Sequence, residues 1–562
     1  MQPTNDHPLE PSRNRLRRYG PITGVLVVLA LVAGASVVVD DEDGADEATS
    51  GNPDDVPTEL PDGVVTWPMA QDQGLDVQFP DTCDQDDGRV AVPFFFRTEC
   101  IADVDDNGGA TWSGVTEDEI TVVAWLPNDD DVVYSFIKQA LGSDDSPDDM
   151  RTTQEGLAEV FQAYYQTYGR EVRVEFVQAS GQMTDSVAAR ADAVRAAEME
   201  PFAVLGGPLS ANTWTQELKA RGIPCFFCPG VNDPDGLAYG LAPQNSQIRL
   251  QTVNYVANKL AGQPVEYAGD DLVGDERVFG LLKLAVNEGD VENADELVAD
   301  FEDEGLEIAA TSTFELNLGA TQESATAAVS TMMDAGVTTV LVDADPINLQ
   351  AITREATQQG WFPEWVITAG TFLDTSIGGR LQDPEQWEHA FGISYLPPAS
   401  SPEISPAYQL YEWYHGEPPP GEDSLLLTYP QIALFFTALG FAGPNLTPDT
   451  LRQGMFAYPP TPRALTQPSV DYGIEVYGED RPDDYGGIDD FVEIWWDPEA
   501  EGTDEFGNPQ QGFYRYVDGG RRYYFDEWPD ELRVFDPEGA VTQVTDPPPE
   551  EVPPDYPSPA GG

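Results

Sequence analysis

The sequence predicts an α/β fold in two similar lobes, each a mainly parallel sheet flanked by helices. Short apolar runs, which are typical of buried strands, alternate with segments of helical periodicity. This alternation occurs twice, once before and once after a short segment at Tyr239–Ala242. The chain has 562 residues, which is enough for several hydrophobic cores. Such an alternation favours parallel sheets with helices on both faces.

The composition is strongly acidic. The chain carries 100 Asp and Glu against 27 Lys and Arg, a net charge of −73 at pH 7. A surface of this kind repels phosphate backbones, so no nucleic-acid partner is expected. Lysine occurs only at positions 138, 219, 259 and 283. A surface rich in acid and poor in lysine indicates an environment of salt or alkali, and we expect stability to rise with salt.

The first 40 residues are predicted to be a targeting segment. Four arginines at positions 13, 15, 17 and 18 precede an apolar run at Ile22–Val39, and acidic residues begin at Asp40. This charge asymmetry predicts that the remainder lies outside the cytoplasm. Signal peptidase would accept Ala33-Gly34-Ala35, but the run is also long enough to anchor the chain in a membrane. Signal peptide and signal anchor both stay open, and residues 41–62 are predicted to be an acidic, disordered spacer.

The four cysteines suit an oxidising compartment. Cys83 and Cys100 enclose a short hydrophobic loop in a predicted N-terminal extension, residues 63–113. Cys225 and Cys228 form a CxxC motif, which is either a redox dithiol or a local disulfide. A redox motif should begin a helix, whereas this one lies in an apolar, strand-like run that ends in Pro-Gly. The local disulfide is favoured, and Cys83–Cys100 with Cys225–Cys228 is the simplest of the three pairings.

An acidic turn follows the second cysteine. Residues Asp103–Gly108 match the first half of a calcium loop, with oxygen-bearing side chains at loop positions 1, 3 and 5 and glycine at 6. The twelfth position, which needs a bidentate glutamate, is Gly114. A solvated turn is therefore favoured over a calcium site, and no metal is expected.

The first series of elements begins at Gly114. The elements predicted in order are a strand at Glu119–Trp125, a helix at Gln154–Tyr168, a strand at Glu171–Val177, a helix at Ser186–Glu198, a strand at Phe202–Leu205, a helix ending near Ala220 and a strand at Ile223–Cys228. In a parallel sheet, the loop after each strand lies at the carboxyl edge, where the N–H groups of the next helix point. Ser210, Asn212 and Thr213 also have side chains that cap helices. We therefore expect residues 210–213 and 230–233 to form one wall of a small-molecule pocket.

The second series begins after Tyr239–Ala242. Its predicted helices are Ile248–Leu260, Ala294–Glu304, Ser324–Ala335 and Leu349–Gln359, and its predicted strands are Arg277–Ala285, Ile308–Phe314, Thr338–Val342 and Glu364–Ala369. The last third has helices at Ala407–Trp413 and Tyr429–Phe441, then strands of a small aromatic sheet at Phe491–Trp496, Gly512–Val517 and Arg521–Phe525. The helix at Tyr429–Phe441 is too short to span a bilayer, so it should be buried.

The ordered series resembles type I periplasmic binding proteins, the solute-binding subunits of ABC transporters for branched-chain amino acids, amides and urea. The resemblance is carried by GVTEDEITV from Gly114, PFAVLGGPLSANT from Pro201, MMDAGVTTVLVDADP from Met332 and ITREATQQGW from Ile352. It implies a two-lobed type I periplasmic-binding-protein fold joined by crossing hinge strands. Lobe 1 would comprise residues 114–242 and 393–460. Lobe 2 would comprise 243–392 and 461–535, and the tail at 536–562 would be disordered.

The resemblance also implies a set of ligand contacts between the lobes. In lobe 1, those carried over are Ser210, Ala211, Asn212, Thr213, Val231 and Asn232, with Trp125, Pro127 and Asn128 from the loop after the first strand. In lobe 2, the family's tyrosine and glutamate, which hold an ammonium group, have no equivalent glutamate here. Asp343 or Asp345 would supply a carboxylate instead, beside Gly370 and Thr371. For both aspartates a solvated loop acid is an equal alternative.

The function implied is an extracytoplasmic solute-binding protein. It would capture a small polar metabolite that is amino-acid-like, an amide or a carboxylate, and deliver it as a monomer to the permease subunits of an ABC importer. The alternative is a membrane-anchored extracellular sensor with the same fold. An enzyme is not expected, because the three histidines lie in unrelated contexts and no GxSxG or P-loop motif occurs. No cofactor is expected either.

Overall fold

The fold is described from a computed structural model. It covers residues 57–94, 97–131, 134–135, 138, 143–208, 212–228, 237–284, 288–314, 321–344, 346–370, 373–400, 405–459, 461–465, 467–473, 485–503, 509–544, 548–552 and 554–561. The predicted targeting segment and most of the predicted spacer lie outside these residues. In the part of the chain that is described, no helix is long and apolar enough to cross a membrane.

Strands and helices alternate through most of the chain. The strands are β1 Cys83–Asp84, β2 Arg89–Val90, β3 Glu119–Leu126, β4 Glu171–Gln178, β5 Ala203–Leu205, β6 Cys225–Phe226, β7 Ala238–Tyr239, β8 Phe279–Leu284, β9 Ile308–Phe314, β10 Thr339–Asp343, β11 Glu364–Thr368, β12 Ala390–Ser394, β13 Ala399–Ser400, β14 Phe491–Thr503, β15 Pro509–Tyr516, β16 Arg522–Tyr523 and β17 Gln543–Val544. The helices are α1 Trp67–Gln73, α2 Pro147–Tyr164, α3 Ser186–Glu198, α4 Thr213–Lys219, α5 Asn245–Tyr255, α6 Glu288–Asp303, α7 Thr321–Asp334, α8 Pro346–Gln359, α9 Ser376–Arg380, α10 Pro384–Trp387, α11 Pro406–His415, α12 Leu425–Ala442 and α13 Pro448–Phe456. A π-helical turn at Val256–Leu260 continues α5.

Lobe 1 is built on a five-stranded parallel sheet in the order β4-β3-β5-β6-β7. Every residue of the central strand β3 after Glu119 is buried, because helices cover both faces. Side chains of β3 alternate between two cores: Val122 packs with α2, α11, α12 and α13, and Val123 packs with α3 and α4. The apolar helix α12 lies in the first of these cores, which confirms that it is a buried helix.

Lobe 2 is built on an eight-stranded mixed sheet. Strands β9-β8-β10-β11-β12 are parallel, and β14 adds to β12 in the antiparallel direction, with β15 and β16 paired to β14. Helices α7 and α8 cover one face, and α5 and α6 cover the other. The strands expected to form a small aromatic sheet are present, but they extend the lobe 2 sheet, because Trp495 of β14 pairs with Phe391 of β12. The prediction of two α/β lobes with mainly parallel sheets is confirmed.

The lobes are joined where the chain crosses between them. The first crossing follows β7, the second follows β12, and the third lies between α13 and β14. The first and third crossings run side by side: the Gly240 N–H donates to the Tyr485 carbonyl (2.8 Å) and the Ile488 N–H donates to the Leu241 carbonyl (2.9 Å). The Tyr472 hydroxyl donates to the Gly240 carbonyl (2.7 Å). These hydrogen bonds give the lobes a narrow connection of extended backbone.

Both cysteine pairs form disulfides. Cys83 and Cys100 have Cα atoms 5.7 Å apart and close the loop of the N-terminal extension, where β1 pairs with β2. Cys225 and Cys228 have Cα atoms 5.9 Å apart at the carboxyl end of β6. The predicted pairing is therefore confirmed, and the CxxC motif lies at a strand end.

The C-terminal residues do not match the expectation of a disordered tail. Strand β17 pairs in parallel with β13 in the second crossing, and the Leu465 N–H donates to the Glu551 carboxylate (2.6 Å). The Trp413 indole N–H then donates to the Tyr556 carbonyl (2.9 Å) on lobe 1. We call residues 543–561 the C-terminal strap, because they lead from lobe 2 back to lobe 1.

Candidate functional site

The carboxyl edges of the two sheets face each other. The chain leaves lobe 1 from the carboxyl end of β7, so lobe 2 lies on that side of the first sheet. It leaves lobe 2 from the carboxyl end of β12, so lobe 1 lies on that side of the second sheet. In open α/β sheets, ligands bind in the crevice outside the carboxyl ends of the strands. The crevice between the two edges is therefore the candidate site.

The lobe 1 edge begins with the loop after β3. The Asn128 amide oxygen accepts from the Asp130 N–H (3.2 Å), and the Gln178 side chain at the end of β4 donates to the Pro127 carbonyl. The buried carboxylate of Asp131 accepts from the N–H groups of Tyr134 (2.8 Å) and Met183 (2.5 Å). Asp131 thus fastens the loop after β3 to the loop after β4. The predicted residues Pro127 and Asn128 lie on this edge in a fixed turn.

Trp125 does not lie on the edge. It is 7% exposed, and it packs in the core between the sheet and helices α3 and α4. As the next-to-last residue of β3, its side chain points to the face of the sheet, because strand side chains stand perpendicular to it. Its described contacts are with this core, and its ligand contact stays a prediction.

The turn after β5 is fixed from two sides. Gly206 has a φ of 71°, a left-handed conformation that favours glycine. Its carbonyl accepts from the Trp214 indole N–H (3.1 Å), and the Cys228 Sγ lies 3.0 Å from the same oxygen. The disulfide of the CxxC motif therefore lies directly against this turn, at the carboxyl edge.

The helix after this turn is short. Helix α4 has seven residues, and Asn212 stands at its N-cap without a capping hydrogen bond from its side chain. The Thr213 hydroxyl donates instead to the Ser186 carbonyl (2.8 Å), which ties α4 to the start of α3. The expected capping by Asn212 is thus wrong, and Thr213 has a structural partner. Ser210, Ala211, Val231 and Asn232 lie outside the described residues.

On the lobe 2 edge, Asp343 is paired with a lysine. Asp343 ends β10 and lies opposite Lys283 in the parallel register with β8. The Lys283 ammonium donates to the Asp343 carboxylate and to the Asn293 amide oxygen (3.1 Å). The Lys283 side chain is 8% exposed and that of Asp343 20%. Asp343 is therefore neither a free carboxylate nor a solvated loop acid, and Asp345 and Thr371 lie outside the described residues.

Sequence reasoning missed Lys283. Its signal was a charged residue within the otherwise apolar strand FGLLKL, in a chain that has only four lysines. A lysine at the carboxyl end of a buried strand has either a carboxylate partner or a ligand. The partner became visible only with the register of β8 and β10.

A second missed acid lies near the end of β12. Asp374 follows β11 and is 3% exposed, and its carboxylate accepts from the Ser394 hydroxyl (2.6 Å). Burial raises the pKa of Asp374 to about 6, although the hydrogen bond from Ser394 opposes that rise. Ser394 ends β12, where the second crossing begins. The pair therefore lies where lobe 2 meets the hinge.

Among the known proteins compared with this chain, similarity was found to solved structures. No family model matches the chain, and no significant match was found among curated proteins. A leucine-, isoleucine-, valine-, threonine- and alanine-binding protein from Brucella ovis is 11% identical, with a TM-score of 0.47. The match covers 73% of this chain and 96% of that protein.

Two further solved structures are similar. An ABC transporter substrate-binding protein from Aeropyrum pernix is 11% identical over 73% of this chain and 97% of its own, with a TM-score of 0.46. A fatty acid ABC transporter substrate-binding protein from Thermomonospora curvata is 14% identical over 75% of this chain and 98% of its own, with a TM-score of 0.43. These three solved structures are all described as binding proteins, two of them as substrate-binding proteins of ABC transporters.

Proposed function

We propose that the protein is an extracytoplasmic solute-binding protein of the type I periplasmic class. It captures a small polar metabolite between its two lobes and presents the closed form to the permease subunits of an ABC importer. The observation that carries this proposal is the opposition of two carboxyl edges across crossing strands. Such a geometry encloses a small molecule when the lobes rotate toward each other.

The hinge supports such a rotation. The first and third crossings are held together by backbone hydrogen bonds at Gly240, Leu241 and Gly487, so they can bend as one ribbon. Each lobe has its own cores on both faces of its sheet, so each moves as a unit. Ligand binding then shifts the population toward the closed arrangement, because only that arrangement contacts the ligand from both sides.

A thermal-shift screen tests the proposal. The full-length chain in mild detergent is mixed with amino acids, amides, urea and short carboxylates, and the melting temperature is recorded. A binder raises it, since ligand that binds only the folded state stabilises by mass action. Ser210→Ala with Thr213→Ala should abolish the shift, whereas the control Thr326→Ala, on the exposed side of α7, should keep it. No shift with any compound would contradict the proposed function.

The identity of the membrane partner distinguishes the proposed transport function from that of an extracellular sensor. The apolar run at Ile22–Val39 supports membrane attachment, which suits either role. Genes for permeases and ATPases beside the gene of this protein would favour transport. A sensor kinase gene in their place would favour the sensor.

A further inference from the structure

We infer that the Lys283–Asp343 pair sets the ligand class by rejecting an ammonium group at the lobe 2 wall. In its place the pair takes an uncharged group that both donates and accepts a hydrogen bond, such as a primary carboxamide. The inference rests on the proposed function, because it concerns the lobe 2 half of the same crevice.

The geometry of the pair is fixed by three elements. Lys283 and Asp343 end neighbouring parallel strands in register, and Asn293 of α6 holds the ammonium group from the other side. Gly370, after β11, has no side chain, and a Cβ atom there would lie 3.7 Å from the Asp343 Oδ1. Residue 370 therefore has no side chain that covers this oxygen on the side of β11.

The charges of the pair decide which group fits. Asp343 already accepts from a cation, so a ligand ammonium group would place a second cation beside Lys283 in a partly buried setting. A ligand carboxylate would in turn stand beside Asp343. Like charges at short range are costly where water is scarce. A neutral amide avoids both the repulsion between two cations and the repulsion between two carboxylates.

An amide also uses both members of the pair. An ammonium group carries three N–H donors, and described residues accept two from Lys283. The third would donate to an amide oxygen of the ligand, while the amide NH₂ would donate to the Asp343 Oδ1, because Lys283 is bonded to the other carboxylate oxygen. A site with paired polar groups discriminates strongly against ligands that leave them unmatched. The pair therefore acts as a specificity element.

Probes with a constant carboxylate end test the inference. Linear carboxylates of three to six carbons are compared with carboxamide, ammonium, carboxylate or methyl at the far end, with binding measured by calorimetry on the full-length chain. The carboxamide series should bind at least about tenfold more tightly than the ammonium series. Ammonium probes that bind as tightly as the amides would overturn the inference and leave the proposed function standing. Absence of binding by every probe and every screened compound would overturn both.

Two variants give opposite changes. Asp343→Asn leaves the Lys283 charge uncompensated, so the terminal dicarboxylates should gain at least about tenfold over the amides. Lys283→Met leaves Asp343 uncompensated, so the ammonium probes should gain. The control Asp497→Asn breaks a pair with Arg515, of similar exposure, on β14 and β15, and should leave the order unchanged. If the Lys283 and Asp343 variants bind the four probe series in the same order of affinity as the wild type, the pair has only a structural role. If either single variant fails to fold, the relative affinity of the wild type for carboxamide and ammonium probes decides whether the inference holds.

Discussion

The hydroxyl group of Tyr556 accepts a hydrogen bond from Arg97 (2.8 Å), 459 residues earlier in the chain. The same hydroxyl donates to Asp84, which lies beside Cys83 in the extension. Burial, together with this hydrogen bond, raises the pKa of Tyr556 to about 12. The residue is therefore a neutral donor and acceptor at physiological pH, and it fastens the C-terminal strap to the N-terminal extension.

Replacing Tyr556→Phe should weaken this attachment. The change removes a hydroxyl that bonds to two charged groups, and such bonds contribute roughly 1.5–3 kcal/mol. We expect a loss of about 1–2 kcal/mol in the free energy of unfolding, measured by urea denaturation. Val552→Ala, in the same strap at an exposed position, should be near neutral. Equal stability of Tyr556→Phe and the wild type would show that the strap contributes nothing.

Arg277 should be critical for the stability of lobe 2. Its guanidinium group donates to both oxygens of the buried Glu364 (2.9 Å each), and the Thr339 hydroxyl donates to the same carboxylate (2.7 Å). Arg277→Met leaves that carboxylate buried without its cation, which typically costs about 3–5 kcal/mol. Arg277→Met with Glu364→Gln should recover much of the loss in a double-mutant cycle. A single variant as stable as the wild type would contradict this assignment.

The same pair predicts a loss of stability in acid. Burial alone would raise the pKa of Glu364, but the hydrogen bonds and charge of Arg277 outweigh it and lower the pKa below its usual 4.5. A lowered pKa contributes stability that is full above pH 4.5 and is lost as pH falls through the folded value. The double variant should therefore show a shallower fall in melting temperature below pH 4.5 than the wild type. Parallel curves would refute this.

Asp374→Asn should stabilise the protein at neutral pH. The raised pKa of Asp374 means that its charged form is disfavoured in the folded state, so its contribution is favourable at low pH and is lost between 3.8 and about 6. One pKa unit corresponds to about 1.4 kcal/mol, so the gain at pH 7 is at most about 3 kcal/mol. Asparagine keeps an acceptor for Ser394. The melting temperature should rise at pH 7.5 and change little at pH 3.5, and a fall at pH 7.5 would count against this prediction.

Salt should stabilise the whole chain. A net charge of −73 makes the folded protein repel itself, and salt screens that repulsion. The screening length falls from roughly 10 Å at 0.1 M to 3 Å at 1 M. The melting temperature in a sodium chloride series should rise steadily over this range. A flat response would show that the acidic surface does not limit stability.

Local patterns predicted much of the fold. Helix α3 has its predicted bounds, because an alanine-rich segment follows Asp185, whose side chain caps it. Strand β12 was missed, since its five buried residues show no alternation and include Gly392, where a Cβ atom would lie 2.2 Å from the Ile367 carbonyl oxygen. The ordered C-terminal strap was missed because its own sequence does not reveal its contacts with Trp413 and Arg97, which lie far away in the chain. Whether such segments form ordered structure depends on contacts between parts of the chain that are distant in sequence.

In the candidate site, the positions of residues at strand ends were predictable, whereas their side-chain partners were not. Strand ends placed Asn128 and Asp343 at facing edges, because parallel sheets put all carboxyl ends on one side. The side-chain partners were not predictable: Lys283 meets Asp343 across 60 positions of sequence, and Thr213 meets Ser186 across 27. Trp125 packs in a core because strand side chains stand on the faces of the sheet, and helices cover both faces here.

The proposed function requires that the two lobes close on a small molecule. Val187 lies in the first turn of α3 and Glu323 in the first turn of α7, and both are exposed. These helices follow β4 and β9, the outer strands of their sheets on the side away from the hinge. All four native cysteines are in disulfides, so cysteines introduced at these two positions take spin labels selectively.

The most direct test is the distance between these two labels, measured by pulsed electron resonance with and without a compound that raises the melting temperature. We expect a clear shortening when the compound is added, while a control pair within lobe 1, at Val187 and Glu171, keeps its distance. An unchanged Val187–Glu323 distance at saturating compound would contradict closure of the lobes.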